Sequence, residues 1–132
     1  LIDYKTGRAT PNDWLGERPD EPQLPLYAVS ASEEVSAVAY ARLKHGGMKF
    51  SGFSSAKNAI PGVKQAMSWQ GLVEGWKQEL EGLARGFAAG EARVDPKRAL
   101  ETCRNCDLQP LCRVHERYPA LADEEDAARE GG

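Results

Sequence analysis

The chain contains 132 residues, of which 41% are hydrophobic and 28% are charged, and its formal net charge is −3. This length suits one domain with a modest core. No apolar run approaches the ~20 residues that cross a bilayer and no signal-peptide pattern is present, so we expect a cytoplasmic protein without a membrane partner. The slightly acidic balance neither favours nor excludes a nucleic-acid partner, because only a local basic patch would decide that.

The first predicted element is a short strand over residues 1–6, which ends at Gly7. Since the chain opens directly in this strand without an initiator Met, we interpret it as a C-terminal fragment of a longer protein. A polar loop follows over 8–22, with Trp14 as its single large apolar residue, and connections of this length more often carry function than structure. Apolar residues at helical spacing then predict a helix of two to three turns from Gln23.

Two strands joined by a Gly-Gly turn are predicted next. Residues 35–44 alternate, with Val38 and Tyr40 facing away from a set of small alanines, and the second strand covers 48–53. A polar linker over 54–62 completes this part of the chain. The pattern is typical of a β-hairpin.

The strongest periodicity predicts a long amphipathic helix that ends near Gly90. Its apolar face is formed by Trp69, Leu72, Val73, Trp76, Leu80, Leu83, Ala84 and Phe87. We expect this continuous stripe to be core, because a base-stacking platform would pair exposed aromatic rings with basic neighbours. Asp95-Pro96 breaks the chain after this helix, and the acidic segment 119–132 lacks the apolar residues needed to pack, so we expect it to be disordered.

Asp3 and Lys5 are the first candidates for chemistry. In a strand these two residues project from the same face, while Tyr4 points the other way, into the core. Hydrolysis of a phosphodiester needs a metal ion and a positive group near the nucleophile, and a carboxylate is a natural ligand for Mg²⁺ or Mn²⁺. Gln23 and Tyr27 share a helix face and would present an amide and a hydroxyl to one pocket. On spacing alone, an exposed strand-end ion pair and an ordinary core contact at Tyr27 remain the alternative.

Basic residues on or near the hairpin are candidates for contacts with phosphate groups. They are Arg42, Lys44, Lys49, Lys57 and Lys64. Solvated strand faces have the same pattern, so both interpretations stay open.

All three cysteines of the chain lie in one stretch, as Cys103-x2-Cys106-x5-Cys112. A disulfide is disfavoured in a cytosolic protein, and clustering of every cysteine favours metal ligation. A closed thiolate site needs four ligands. Either His115 completes a zinc site, or a fourth cysteine from an upstream segment completes a 4Fe-4S cluster.

Several of these segments form one longer pattern when they are read together. They are Ile2-Asp3-Tyr4-Lys5-Thr6-Gly7, Trp14, Gly16-Glu17-Arg18-Pro19 and Glu21-Pro22-Gln23-Leu24-Pro25-Leu26-Tyr27-Ala28. This string resembles the RecB-like branch of the PD-(D/E)XK nucleases. The resemblance implies an α/β fold over residues 1–118, namely the C-terminal part of a restriction-endonuclease-like core with a mixed sheet flanked by helices.

The resemblance also implies roles for individual residues. Asp3 would bind the catalytic metal, Lys5 would act in catalysis, and Gln23 and Tyr27 would flank the active site. The family takes a second metal-binding Asp from an earlier strand, which this chain does not contain. We therefore expect no robust cleavage by this chain alone.

The cysteine pattern resembles that of iron-sulfur members of the same group, notably AddB-type helicase-nuclease subunits and CRISPR-associated exonucleases. It implies that Cys103, Cys106 and Cys112 ligate a 4Fe-4S cluster and that His115 is a bystander. The pattern as a whole is closer to AddB-type and related bacterial DNA-repair proteins. The implied function is metal-dependent DNA cleavage in double-strand break repair or recombination, with DNA and a helicase subunit or domain as partners. The alternative is a non-catalytic module that binds DNA or a helicase and is stabilised by zinc or iron-sulfur.

Overall fold

The computed structural model describes residues 1–119, and the chain divides into two compact units, Leu1–Ala89 and a second that begins at Gly90. Within the described range, none of the helices combines the length and the apolar character needed to cross a membrane. The predicted disordered segment 119–132 lies, from residue 120 onward, outside the described residues.

A four-stranded mixed sheet forms the centre of the first unit. Its strands, in spatial order, are β1 (Ile2–Lys5), β2 (Ala37–Arg42), β3 (Lys49–Ser54) and β4 (Val63–Gln65). β1 and β2 are parallel, β2 and β3 form the predicted antiparallel hairpin, and β3 and β4 are parallel. A parallel pair requires a crossover connection, and the one between β1 and β2 contains α1 (Gln23–Ser30). The predicted α/β class with a mixed sheet and flanking helices is confirmed.

The segment predicted as a loop before α1 contains a 3₁₀ helix at Pro11–Trp14. The Thr10 hydroxyl accepts a hydrogen bond from the Asn12 amide at 3.4 Å and so caps this turn. Trp14 at its end is completely buried. A single turn is too short to show a periodicity, and for this reason the sequence indicated only a polar connection.

The long helix α2 (Trp69–Ala88) begins at Ser68, whose hydroxyl accepts a hydrogen bond from the Gly71 amide at 3.1 Å. It is followed by Gly90, whose φ of +75° is left-handed, so the helix ends where the sequence predicted. Trp69 and Trp76 are buried in the main core, together with Trp14, Leu24, Ala28, Val38 and Tyr40.

The prediction that the apolar stripe of α2 is core along its whole length is wrong at the C-terminal end. Phe87 is 81% exposed and Leu83 is 37% exposed. The residues of α2 that belong to the main core or pack against it lie between Trp69 and Trp76, so this core does not include the last turns of the helix.

The linker predicted over 54–62 is followed by a strand, β4, that the sequence did not indicate. Three residues are too few to show an alternating pattern. The turn into β4 depends on Gly62, whose φ is +83°, and a Cβ atom there would lie 2.6 Å from the Phe50 carbonyl oxygen.

The second unit contains three short helices, α3 (Ala99–Cys103), α4 (Gln109–Cys112) and α5 (Val114–Arg117). Its small core is formed by Cys103 and Val114, against which Val94, Ala99, Cys112 and Tyr118 pack. Two of the three cysteines therefore contribute to packing in this unit.

Candidate functional site

Asp3 and Lys5 form a partly buried ion pair on β1. The parallel register aligns Asp3 with Tyr40 and Lys5 with Arg42, so both side chains lie on the Tyr40 face of the sheet. Lys5 Nζ lies 3.1 Å from Asp3 Oδ2, and the two side chains are only 29% and 23% exposed. The shared face follows from the two-residue period of a strand, as the sequence predicted.

Tyr4 does not point into the core, contrary to the prediction. Its side chain is 67% exposed, and Ile2 on the same face is 45% exposed. The main core of the described residues gathers on the other face, around Val38 and Tyr40. The alternation was therefore predicted correctly, but the face that is buried was not.

The ammonium group of Lys5 lies over the ring of Tyr40. Lys5 Nζ lies 5.6 Å from the centre of this ring, within the range of a cation–π interaction. The ammonium group is thus held between the Asp3 carboxylate and an aromatic face. Both contacts reduce the number of positions that the flexible lysine chain can adopt.

A hydrogen-bonded tryptophan pair fixes Tyr40 in turn. Trp14 Nε1 donates to the Tyr40 hydroxyl at 2.8 Å, and the two ring centres are 4.5 Å apart. Trp76 Nε1 donates to the Trp14 carbonyl oxygen at 2.7 Å. A continuous set of contacts therefore runs from α2 through Trp14 and Tyr40 to Lys5. Sequence reasoning gave Tyr40 and Trp14 no part in the site, although the alternation in β2 did place Tyr40 on the same face as Val38.

The Tyr40 hydroxyl stays protonated over an extended pH range. Burial raises the pKa of Tyr40 to about 12. The Trp14 hydrogen bond opposes this shift, and the negative charges of Glu21, Asp13 and Asp3 add to it with smaller effects. Burial is therefore the main reason that the hydroxyl stays neutral.

Replacing Tyr40 by Phe should lower the free energy of unfolding by about 1–3 kcal/mol at neutral pH, because Trp14 Nε1 would lose its buried acceptor. The folded pKa of Tyr40 lies above the unfolded value of 10, so its contribution is fully present below pH 10 and is lost as the pH rises through about 12. The gap between wild type and Tyr40→Phe should therefore narrow across this window. Urea unfolding at several pH values measures it.

The matched control is Tyr4→Phe, since the Tyr4 side chain is exposed. This variant should leave the free energy of unfolding nearly unchanged at every pH. A Tyr40→Phe variant as stable as Tyr4→Phe would contradict the assigned hydrogen bond.

Gln23 and Tyr27 lie on the exposed side of α1. Leu24 and Ala28 turn towards the core, while Tyr27 is 53% exposed. Within residues 1–119 no hydrogen bond or ion pair joins Gln23 or Tyr27 to Asp3 or Lys5. Their part in a site stays a prediction.

Comparison with known protein families identifies the superfamily of the chain. A family model described as the PD-(D/E)XK nuclease superfamily matches residues 1–113, which is most of the chain. The chain belongs to this superfamily. Searches of curated proteins and of solved structures found no match. Asp3-Tyr4-Lys5 has the (D/E)-x-K spacing that appears in the name of this superfamily, and the role of Asp3 and Lys5 in a site stays a prediction.

PD-(D/E)XK nucleases usually use Mg²⁺ or Mn²⁺. The Asp3 carboxylate is the right type of ligand for either ion, and it is only partly buried. Across the described residues, however, no group of three or more His, Cys, Asp or Glu side chains is arranged to hold a metal ion. In the part of this superfamily domain that the structure describes, Asp3 therefore fits as one ligand and not as a complete site.

The three cysteines are free thiols in different environments. Cys103 is buried, Cys106 is exposed and Cys112 is intermediate. Burial is the main cause that raises the pKa of the Cys103 thiol, and Cys106 and Cys112 act in the same direction. The Gln109 side-chain amide donates to the Cys103 carbonyl oxygen at 2.7 Å and links α4 to the end of α3. Among the described residues, the three thiols do not form a group arranged to hold a metal ion.

Proposed function

We propose that this chain supplies the Asp-x-Lys half of the active site of a DNA nuclease. The observation that carries the proposal is the Asp3–Lys5 pair at 3.1 Å, which is partly buried and supported by the Tyr40 ring. A surface ion pair typically contributes little to stability. The Asp3–Lys5 pair is instead partly buried, and Lys5 contacts the ring of Tyr40, whose hydroxyl accepts a buried hydrogen bond from Trp14. Membership of the PD-(D/E)XK superfamily supports the same reading.

In this proposal Asp3 is a ligand of the divalent metal. When bound, such an ion polarises the phosphoryl oxygen and lowers the pKa of a coordinated water. The Lys5 ammonium, with three N–H donors, orients the attacking water or stabilises the charge that develops on the phosphate. Tyr40 and Asp3 fix the position of Lys5 before the substrate arrives.

Gln23 and Tyr27 would shape the pocket beside the DNA backbone. Support comes from their spacing on α1, which leaves an amide and a phenol on the exposed side of the helix. Neither side chain forms a hydrogen bond with another described residue, so both are available to a ligand.

The test is cleavage of linear duplex DNA by the full-length gene product in the presence of Mg²⁺. Cleavage should be complete within the assay and should stop on addition of EDTA. The chain alone should cleave poorly, because its described residues provide no complete metal site. Robust Mg²⁺-dependent cleavage by the chain alone, abolished in Lys5→Ala, would overturn the statement that it carries only half of the site.

A second candidate function is a non-catalytic module that binds DNA or a helicase. The incomplete ligand set among the described residues favours it. The two functions differ in whether the full-length gene product contains a further strand whose acidic residue completes the ligand set beside Asp3. Such a strand supports the nuclease, and its absence supports the binding module.

Cys103, Cys106 and Cys112 are proposed as ligands of a 4Fe-4S cluster, and the support is their Cys-x2-Cys-x5-Cys spacing, which resembles that of iron-sulfur members of the RecB-like group. The full-length gene product, purified without oxygen, should show the broad visible absorption of such a cluster, and Cys106→Ser should remove it. A colourless protein with stoichiometric zinc would instead indicate a zinc site completed by His115.

A role in double-strand break repair or recombination is the setting we propose for this nuclease, with a helicase subunit or domain as partner in the cytoplasm. Support comes from the resemblance of the segment from Ile2 to Ala28 and of the cysteine pattern to RecB-like and AddB-type proteins. Co-purification of a helicase with the full-length gene product tests the partner directly.

A further inference from the structure

We propose that Lys5, Arg42 and Lys49 form a phosphate-binding row that holds the nucleic-acid backbone beside the Asp3–Lys5 pair. This inference rests on the proposed nuclease function and adds the residues that position its substrate. The chemical class of the ligand is the phosphodiester backbone of a nucleic-acid strand.

The register of the sheet aligns the three basic residues across three neighbouring strands. Lys5 on β1 is aligned with Arg42 on β2, and Arg42 is aligned with Lys49 on β3. Aligned residues on neighbouring strands project from the same face of a sheet. Strands lie about 4.8 Å apart, so the row is about 10 Å long. Since a nucleic-acid strand rises about 3.4 Å per nucleotide, a row of this length can meet more than one phosphate.

Arg42 lies at the centre of the row, and its side chain is partly exposed. Its Nε atom is buried and has no hydrogen-bond partner among the described residues. Because this atom is closed to solvent, a phosphate would bind the terminal nitrogens of the guanidinium. The planar guanidinium matches the geometry of phosphate oxygens and binds them through two parallel hydrogen bonds.

Lys49 is exposed at the end of the row and forms no ion pair with a described residue. Within the row, Lys5 forms an ion pair with the Asp3 carboxylate. The positive charges of Arg42 and Lys49 are therefore available to an anion from solution.

The other basic residues near the hairpin lie off this row. Lys64 is aligned with Phe53 on the far strand of the sheet, and Lys44 and Lys57 lie in the connections between strands. Of the five basic residues that the sequence could not distinguish, the structure therefore places two in the row, Arg42 and Lys49.

The row also lies close to Asp3, the candidate metal ligand. Asp3 precedes Lys5 by two residues, which is about 6.5 Å along a strand. Lys5 Nζ lies 3.1 Å from Asp3 Oδ2, so a phosphate bound to Lys5 at the end of the row would lie beside the Asp3 carboxylate. The row would therefore set the position of the backbone relative to the site of cleavage.

The experiment measures binding of the full-length gene product to a fluorescently labelled DNA duplex by anisotropy, in EDTA to prevent cleavage, over a series of salt concentrations. Lys49→Gln and Arg42→Gln should each weaken binding about tenfold at low salt and should each reduce the slope of log affinity against log salt by about 1. Arg42→Lys should retain most of the slope but lose affinity, since it keeps the charge without the planar fork.

Lys57→Gln and Lys64→Gln are the matched controls, because each removes the same charge outside the row, and both should keep the wild-type slope. Lys49 is exposed, so its variant tests the row even if Arg42→Gln fails to fold. Row variants with the slope of Lys57→Gln would overturn the row and leave the nuclease function intact. Wild-type protein that does not bind DNA would overturn both. Weakened binding of the row variants in a protein that never cleaves DNA would support the row and overturn the nuclease.

Discussion

Lys5→Ala should reduce the single-turnover rate of DNA cleavage by the full-length gene product by at least about 100-fold. The Lys5 ammonium is held 3.1 Å from Asp3 and over the Tyr40 ring, where it meets the developing charge without reorganisation. Removal of one such preorganised donor typically costs 10²–10³ in rate. The rate should be measured at saturating DNA and saturating Mg²⁺, so that weaker binding does not contribute.

The control for this substitution is Lys57→Ala, which removes a lysine charge from an exposed turn of the same unit. It should cleave at the wild-type rate. If Lys5→Ala retains more than about a tenth of the wild-type rate under these conditions, Lys5 is an ordinary member of a surface ion pair and the proposed catalytic role is wrong.

Trp14→Ala should have the largest effect on stability, about 3–5 kcal/mol of the free energy of unfolding. Trp14 is completely buried, donates a hydrogen bond to Tyr40 and accepts one from Trp76. The substitution removes a large ring from the core and leaves the buried Tyr40 hydroxyl without its hydrogen-bond donor, whereas the backbone carbonyl that accepts from Trp76 stays in place. Equilibrium unfolding in urea measures the change.

Phe87→Ala is the matched control, since it also removes a large aromatic side chain, but one that is 81% exposed. Its effect should stay within about 0.5 kcal/mol, as for most surface substitutions. Equal losses for Trp14→Ala and Phe87→Ala would contradict the placement of Trp14 at the centre of the core. Because Trp14 also fixes Tyr40, a folded Trp14→Phe variant should lose cleavage rate as well as stability.

The elements with local patterns were predictable from the sequence. The helix from Gln23, the hairpin and the long helix carry a periodicity of two or 3.6 residues, and each forms where that periodicity predicts. The short strand at Asp3, predicted to end at Gly7, also forms. The 3₁₀ helix at Trp14 and the strand at Val63 are too short to carry a period, and they were missed for that reason.

The candidate site was predictable only in part, because its pieces meet through pairing between distant strands. The proximity of Asp3 and Lys5 follows from strand geometry alone. The contact of Lys5 with Tyr40 requires the parallel register of β1 and β2, and residues 35 positions apart in sequence carry no local sign of it. Tyr4 and Phe87 were predicted to be buried, and both are exposed, since alternation and helical spacing identify a face but not what covers it.

The most direct test of the nuclease proposal is Mg²⁺-dependent cleavage of linear duplex DNA by the full-length gene product carrying Asp3→Asn. Asparagine keeps the size of the aspartate side chain but removes the charge that would bind the metal and pair with Lys5. The wild-type protein should cleave and Asp3→Asn should not, while both remain folded and bind DNA. Cleavage by Asp3→Asn at the wild-type rate would contradict the assignment of Asp3 and Lys5 as the active-site pair.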